Sequence, residues 1–399
     1  MNTTLVRVSD LAEQIRGVSY KKEDASTSPK PGYLPLLRAG NITDEGLIFD
    51  DLVFVPAERI SKKQKVCRYD VVIAASSGSL DIVGKAAPML TDFDCGFGAF
   101  CKVLRPNSKV HPGYFAHFFK TKDYRQRISA LAAGANINNL RNEHLDEMQI
   151  PLSPLDEQKR IADILDRAEA LRAKRLAALD QLDELVQSMF IDMFGDPVKN
   201  PKSWDTTKLG ECTEFITSGS RGWAKYYSET GEKFIRIQNV RNGRLDFSDI
   251  QLVEPPKTAE SIRTKVKDGD LLISITADLG RTAVVDEKTA LEGAYINQHL
   301  SLIRLNKKIV DPVFVSQYLE SEGGKRQFSS LDQKGVKSGL NFENVKSLEF
   351  YLPPLDIQKE FSLRIATLEK LKAIHKASLT ELDELFSSLQ CRAFRRNCN

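Results

Sequence analysis

Adding 200 to a residue number lays one half of this chain onto the other. Pro154-Leu155-Asp156-x-Gln158-Lys159 becomes Pro354-Leu355-Asp356-x-Gln358-Lys359, and Leu182-Asp183-Glu184-Leu185 becomes Leu382-Asp383-Glu384-Leu385. Each pair of motifs brackets a helix. Proline sits where a helix accepts it, in the first turn, and an acid follows where the helix dipole favours negative charge. Between the motifs, one heptad row holds Ile161, Ala168, Arg175, Leu182 and Met189, and the next holds Ile164, Leu171, Ala178 and Leu185. The second copy repeats the seam with Phe361, Leu368, His375, Leu382 and Leu389, flanked by Leu371 and Leu385. Apolar residues on two adjacent rows over several turns argue for coiled-coil helices. The competing reading is a buried helix in a single globular core. No insertion separates the copies, so the two helices fit an antiparallel pair about a pseudo-twofold axis.

Each helix is preceded by a stretch of mixed α/β pattern. In the first, Tyr33–Arg38, Asp70–Ala75 and Gly98–Arg105 read as strands, Pro112–Leu131 reads as a helix, and Gly134-Ala135-Asn136-Ile137-Asn138-Asn139 is an amide-rich loop. Gly195-Asp196-Pro197 through Pro201 stops the first long helix and reads as a linker. The following stretch repeats the outline of the first. Arg38-x-x-Asn41 answers to Arg236-x-x-Asn239, Asp70-Val71-Val72-Ile73 to Asp270-Leu271-Leu272-Ile273, and His111-Pro112 to Asp311-Pro312. The fold class expected is α/β (α+β): two similar domains joined by two long antiparallel coiled-coil helices with pseudo-twofold symmetry. The boundaries are 1–152 for the first domain, 153–195 for the central helix, 196–352 for the second domain and 353–399 for the C-terminal helix. A helix of about 38 residues is about 57 Å long, enough to hold two domains one DNA turn (about 34 Å) apart.

The formal net charge of +3 with 28% charged residues neither demands nor excludes nucleic acid, so any basic surface is local. Mean hydropathy is −0.32, and no apolar run is long enough to span a membrane. The start Met-Asn-Thr-Thr-Leu-Val-Arg-Val lacks the plan of a signal peptide, and the cysteines form no C-x-x-C. A cytoplasmic protein with reduced thiols and no metal site is expected.

On the two P-L-D-x-Q-K starts, the two L-D-E-L ends and the repeated α/β domain, the chain resembles the DNA-specificity subunit of type I restriction–modification systems. The resemblance covers nearly the whole chain. The first domain resembles the EcoKI type of that subunit through Arg16-Gly17-Val18-Ser19-Tyr20-Lys21-Lys22, Ser76-Ser77-Gly78-Ser79 and the amide-rich loop. The resemblance implies that each domain is a target-recognition domain reading one half of an asymmetric, gapped DNA site. It implies that the helices set the spacing and dock two methyltransferase subunits. Those partners would carry S-adenosylmethionine, and two motor-nuclease subunits would use ATP and magnesium. It implies no cofactor and no catalysis in this chain. The residues agree by what they lack: there is no N-P-P-F or D-P-P-Y methyltransferase motif and no H-E-x-x-H. The nearest phosphate-loop look-alike, Ser79 to Ala86, has Ser in place of the first Gly and Ala in place of the magnesium-binding Ser or Thr, and reads as strand-turn-strand.

DNA reading needs cations for phosphates and forked donors or amides for base edges. In the first domain the candidates are Arg16, Tyr20, Lys21, Lys22, Arg38, Asn41, Ser76, Ser77, Ser79, Lys85, Asn136, Asn138 and Asn139. In the second they are Ser218, Ser220, Arg221, Trp223, Lys225, Tyr226, Arg236, Gln238, Asn239, Thr276, Arg281, Lys334, Lys337 and Ser338. Arg38 and Arg236 have a second reading as braces of the scaffold. The amide-rich loop has one as a loop that satisfies its own backbone, and Tyr226 one as core. On the helices, Leu165, Leu179, Val186, Ile365, Leu379 and Phe386 widen the apolar face beyond the seam and are the candidates for docking a partner. Two rival functions stand beside this one. One is a single-chain DNA-modifying enzyme with duplicated targeting domains. The other is a coiled-coil adaptor that binds no DNA.

Overall fold

The computed structural model describes residues 4–79, 81–133, 139–219, 221–332 and 339–394. The chain forms two compact units, Met1–Leu176 with Ala377–Asn399, and Ala177–Lys376. The cuts fall 200 residues apart, so each unit holds one α/β domain and part of both long helices.

In the first unit a four-stranded antiparallel sheet runs in the order Ala12–Arg16, Cys101–Pro106, Val71–Ala74, Ala86–Pro88. A three-stranded sheet places Tyr33–Leu37 between Val53–Pro56 and, in parallel, Gly96–Phe97. In the second unit the matching four-stranded order is Thr213–Ser218, Leu300–Leu305, Leu271–Ser274, Thr282–Val284. There too a parallel pair, Glu232–Ile235 with Ala294–Ile296, feeds the neighbouring sheet. The expected strand Gly98–Arg105 is shorter than its apolar pattern suggests. Gly98, Ala99 and Phe100 form a turn between Gly96–Phe97 and Cys101–Pro106. The expected helix Pro112–Leu131 is two helices, Pro112–Phe118 and Lys122–Ala133. Thr121 divides them: its hydroxyl donates to the Phe118 carbonyl at 2.7 Å and accepts from the Tyr124 amide at 3.2 Å, as a cap does.

The long helices run Leu155–Phe194 and Leu355–Ala393. Within each unit their segments lie antiparallel. In the first, Tyr114 beside the start of the central helix packs on Phe394 at the end of the C-terminal helix, while Arg172 pairs with Asp383. In the second, Phe194 meets Phe361 and Asp183 meets Lys372.

The widened apolar face has a different use from the one expected. Leu165 and Phe386 lie in a core with Val8, Tyr114, Phe115 and Phe118 of the first domain. Val186 and Ile365 lie in a core with Phe314, Val315 and Leu319 of the second. Leu179 and Leu379 are half-buried. The expectation that Leu165, Val186, Ile365 and Phe386 dock a partner is therefore corrected: an α/β domain covers them, and burying each such side chain stabilises the unit by about 1.5–3 kcal/mol. Of the second row expected in the seam, Ile164 and Ala178 are half-buried, while Leu171 and Leu185, with Leu371 and Leu385 of the other helix, are exposed.

Two duplicated polar devices fix each domain. Gln158, fully buried, accepts from the His111 amide at 2.8 Å and donates to the Ser153 carbonyl at 2.7 Å. Gln358 does the same with the Asp311 amide and the Pro353 carbonyl at 2.9 and 2.7 Å. The glutamine of each P-L-D-x-Q-K motif thus ties the first turn of a long helix to the start of a domain helix. Inside the sheets, Arg105 forks onto buried Asp70 at 2.9 and 2.7 Å, and Arg304 onto Asp270 at 2.9 and 3.3 Å. Burial pushes the Asp270 carboxyl up even with Arg304 beside it. Asp70 and Asp270 also cap the Cys67 and Lys267 amides.

Candidate nucleic-acid interface

In the first domain, several separated stretches meet at the turn Gly98–Phe100. The Gly98 amide donates to the Leu37 carbonyl at 2.9 Å, and Val18 donates to Phe97 at 2.8 Å. The Ala75 and Ser76 amides both donate to the Phe100 carbonyl, at 2.8 and 3.0 Å. Leu140 then donates to Ala75 at 2.7 Å, and Ser76 bridges to Asn139. Only glycine fits at residue 17, because a Cβ there would stand 2.0 Å from the Gly98 carbonyl oxygen. Arg16, Tyr20, Ser76, Ser77 and Asn139 are thereby drawn to the sheet end that carries Phe100, with Arg16 and Asn139 exposed. Lys21 and Lys22 project into solvent on the following segment, and Lys21 has only a loose, exposed pairing with Glu23 at 3.5 Å.

Arg16 is the register partner of Lys102, which is 8% exposed and donates to the Leu140 carbonyl and to Asn142 at 2.7 and 2.9 Å. Burial and the neighbouring Arg16 charge, opposed by Asp146 and Glu143, push the Lys102 ammonium down to about 8. Ser79 is exposed, and Lys85 pairs with Asp44 at 2.9 Å. The look-alike loop is strand-turn-strand as read, held by Arg125 on the Val83 and Asp81 carbonyls, at 3.0 Å each.

The second domain builds the same convergence from different side chains. Asn297 donates to Ile235 at 3.0 Å, Ile275 to His299 at 2.9 Å and Leu340 to Ile275 at 2.8 Å, and Thr276 bridges to Gly339. Ser218 pairs in register with Ser301. The Thr276 hydroxyl meets His299 Nδ1 at 2.5 Å, and Gln298 meets His299 Nε2 at 2.9 Å. Where the first domain presents Phe100 the second presents His299.

Not every candidate reaches this surface. Asn41 and Asn239 are buried: each accepts from the backbone of Arg38 or Arg236 at 2.9 Å and donates to main-chain carbonyls. Arg38 donates to the Asp51 carbonyl at 2.5 Å, and Arg236 to the Asp249 carbonyl at 3.2 Å. Arg236 also pairs with the Asp249 carboxylate at 3.4 Å, as the bracing reading expects of an acid partner, whereas Arg38 braces through a main-chain carbonyl; Asn41 and Asn239, both buried, are corrected as DNA contacts. Gln238 is tied to Asp249 and Arg281 to Asp278. Trp223 is corrected too. It is core, with its ring 5.5 Å from Phe234 in a stacked pair and 5.3 Å from Tyr295. Half-buried Tyr226 leans on it, with Lys225 Nζ 4.9 Å from the Tyr226 ring centre and Arg221 exposed. Asn136, Asn138, Ser220, Lys334, Lys337 and Ser338 lie outside the described residues.

The residues missed by sequence reading are Phe100, Lys102, Gln298 and His299. Phe100 and Lys102 sit between Ala99, Cys101 and Val103, so their turn vanished into an apolar run. The position of Asn297-Gln298-His299 between two strands was the available signal.

A sequence model described as the type I restriction modification DNA specificity domain matches twice, over residues 2–181 and 201–384. The chain belongs to that family. It is 33% identical over 407 aligned positions to the type I restriction enzyme EcoKI specificity subunit of Escherichia coli K12, covering 97% of this chain and 87% of the relative. The StySPI specificity subunit of Salmonella potsdam is likewise 33% identical over 410 positions, with the same coverages. The crystal structure of the type I restriction–modification S subunit from M. genitalium matches with a TM-score of 0.60 at 16% identity over 99% of this chain and 97% of that one. A chain from a study of type I complex assembly and conformational transition matches at 0.56 and 19% identity, covering 98% and 97%. These two share the fold. Among the described residues no helix is long and apolar enough to cross a membrane.

Proposed function

We propose that this specificity subunit reads an asymmetric, gapped DNA site, one half with each α/β domain, and supplies no catalytic group itself. The observation that carries the reading is the shared convergence at residues 98–100 and 297–299. One backbone plan draws Arg16, Ser76 and Phe100 together in the first domain and Ser218, Thr276 and His299 in the second. Equal scaffolds with unequal tips suit two unlike half-sites, because phosphate contacts position a protein while base-edge chemistry specifies sequence. The helices, of 40 and 39 residues, serve as spacers. Their outward residues Leu171, Leu185, Leu371 and Leu385 face a methyltransferase subunit that holds S-adenosylmethionine, and ATP with magnesium belongs to a motor-nuclease partner. Binding of a gapped duplex by the complex with the methyltransferase tests this. Scrambling either half-site should abolish specific binding, and photocrosslinking of S-adenosylmethionine to the isolated chain should fail. Binding that survives loss of one half-site, or a labelled isolated chain, would refute it.

A further inference from the structure

Phe100 is 68% exposed, at a turn whose neighbour Ala99 is exposed as well. Its main chain is not loose: the carbonyl accepts two amides, from Ala75 and Ser76, and the following Cys101 amide closes the turn onto Gly98 at 2.8 Å. A rigid backbone therefore holds an unburied aromatic ring at the sheet end where Arg16, Ser76 and Asn139 gather. No packing need explains it, since the core beneath is closed by Cys101, Val103 and Phe97, all buried.

Resting on the reading that this domain binds DNA, we propose that Phe100 reads sequence by packing its ring on the 5-methyl group of a thymine in the first domain's half-site. The reason is chemical. Among the groups that base pairs present in the major groove, hydrogen-bond donors and acceptors predominate, and the thymine methyl is the apolar one. An exposed phenyl ring cannot satisfy a base-edge donor or acceptor, so its discrimination comes through that methyl. The equivalent place in the second domain carries His299, already hydrogen-bonded through both ring nitrogens to Thr276 and Gln298. The second half-site therefore lacks this contact.

The test uses the complex with the methyltransferase and the gapped site mapped from its adenine methylation. Each thymine is replaced in turn by uracil, which deletes only the methyl. One replacement, in one half-site only, should weaken binding by about fourfold, the worth of one buried methyl group. Phe100→Ala should cost a similar factor on the thymine site and nothing further on that uracil site, while Phe100→Leu keeps part of the preference. Phe100 is exposed, so both variants should match the parent in thermal unfolding. A half-site without thymine on either strand would overturn the proposal, as would Phe100→Ala losses that multiply with every uracil loss. So would a 2-aminopurine signal of base unstacking that is lost in Phe100→Ala, because the ring would then act as a wedge. If scrambling the half-sites leaves parent binding unchanged, the DNA reading itself fails. If scrambling abolishes binding and the uracil coupling is absent, only the role of Phe100 fails.

Discussion

Lys372 donates to Asp183 across the helix pair of the second unit at 2.7 Å, and 200 residues away in number Arg172 pairs with Asp383 in the first. The two copies are not equal. Lys372 is 4% exposed and shares Glu369 at 2.9 Å, while Arg244 from the second domain reaches both Glu369 and Asp183 at 2.8–2.9 Å. Burial would raise these carboxyls, but Lys372 and Arg244 prevail and hold Asp183 and Glu369 below the usual carboxylate range. Their stabilisation is present above that range and is lost as pH falls through the depressed values. Asp183→Ala strips a buried ammonium of one partner but leaves it Glu369, so it should destabilise the second unit by about 1–3 kcal/mol and flatten its acid sensitivity. Asp383→Ala, on the more exposed Arg172, should cost less than about 1 kcal/mol. Hydrogen exchange resolved by peptide, between acid and neutral pH, reads both units separately.

The glutamines of the repeated motif are the next test. Gln158→Ala leaves the His111 amide and the Ser153 carbonyl unpaired in a buried place, at about 1–3 kcal/mol for each unmet group. Gln358→Ala should do the same in the second unit. Urea unfolding should shift by about 2–6 kcal/mol for either variant, with faster amide exchange in the first turn of the matching long helix.

The motif that revealed the family was legible because it is local: proline, acid and glutamine lie within one helical turn, and their spacing survives in the sequence. The paired helices were legible for the same reason. Which row of each helix faces its domain was not, because that choice depends on the complementary surface formed by Tyr114, Phe115 and Phe118, or by Phe314 and Leu319. A heptad pattern records apolar positions and not what covers them. Asp70 was noticed, but its partner Arg105 was hidden by sequence distance, and the same holds for Asp270 and Arg304. Asn41 and Asn239 looked like base readers because an amide that fits a base edge fits a peptide edge equally well.

Lys102 gives a pH signature of the same sign as the acids, but in an alkaline window. Its ammonium, held at about 8 when folded, titrates near 10.4 in an unfolded chain. Between these values the unfolded chain keeps a proton that the folded one has released, so the stability of the first unit rises with pH across that window. The full penalty is present below about 8. Lys102→Met should remove the rise, seen as the difference between parent and variant in urea midpoints from about pH 7 to about pH 10.5.

Lys21 and Lys22 are exposed, and the proposed DNA reading assigns them to phosphates. Replacing both with Ala should weaken binding to every sequence alike. It should also lower the slope of log K against log salt by up to about 1.8, at about 0.9 for each phosphate that is no longer neutralised. An unchanged slope in a salt titration removes these residues from the interface.

The bipartite account is tested most directly by mapping methylated adenines across the genome of cells that carry the methyltransferase partner, with and without this chain. The account predicts a two-part, asymmetric motif with a gap of fixed length, absent when the chain is absent. Exchanging residues 1–152 for those of a relative should alter one part of the motif and leave the other and the gap unchanged. A continuous or palindromic motif, or an exchange that rewrites both parts, would contradict it.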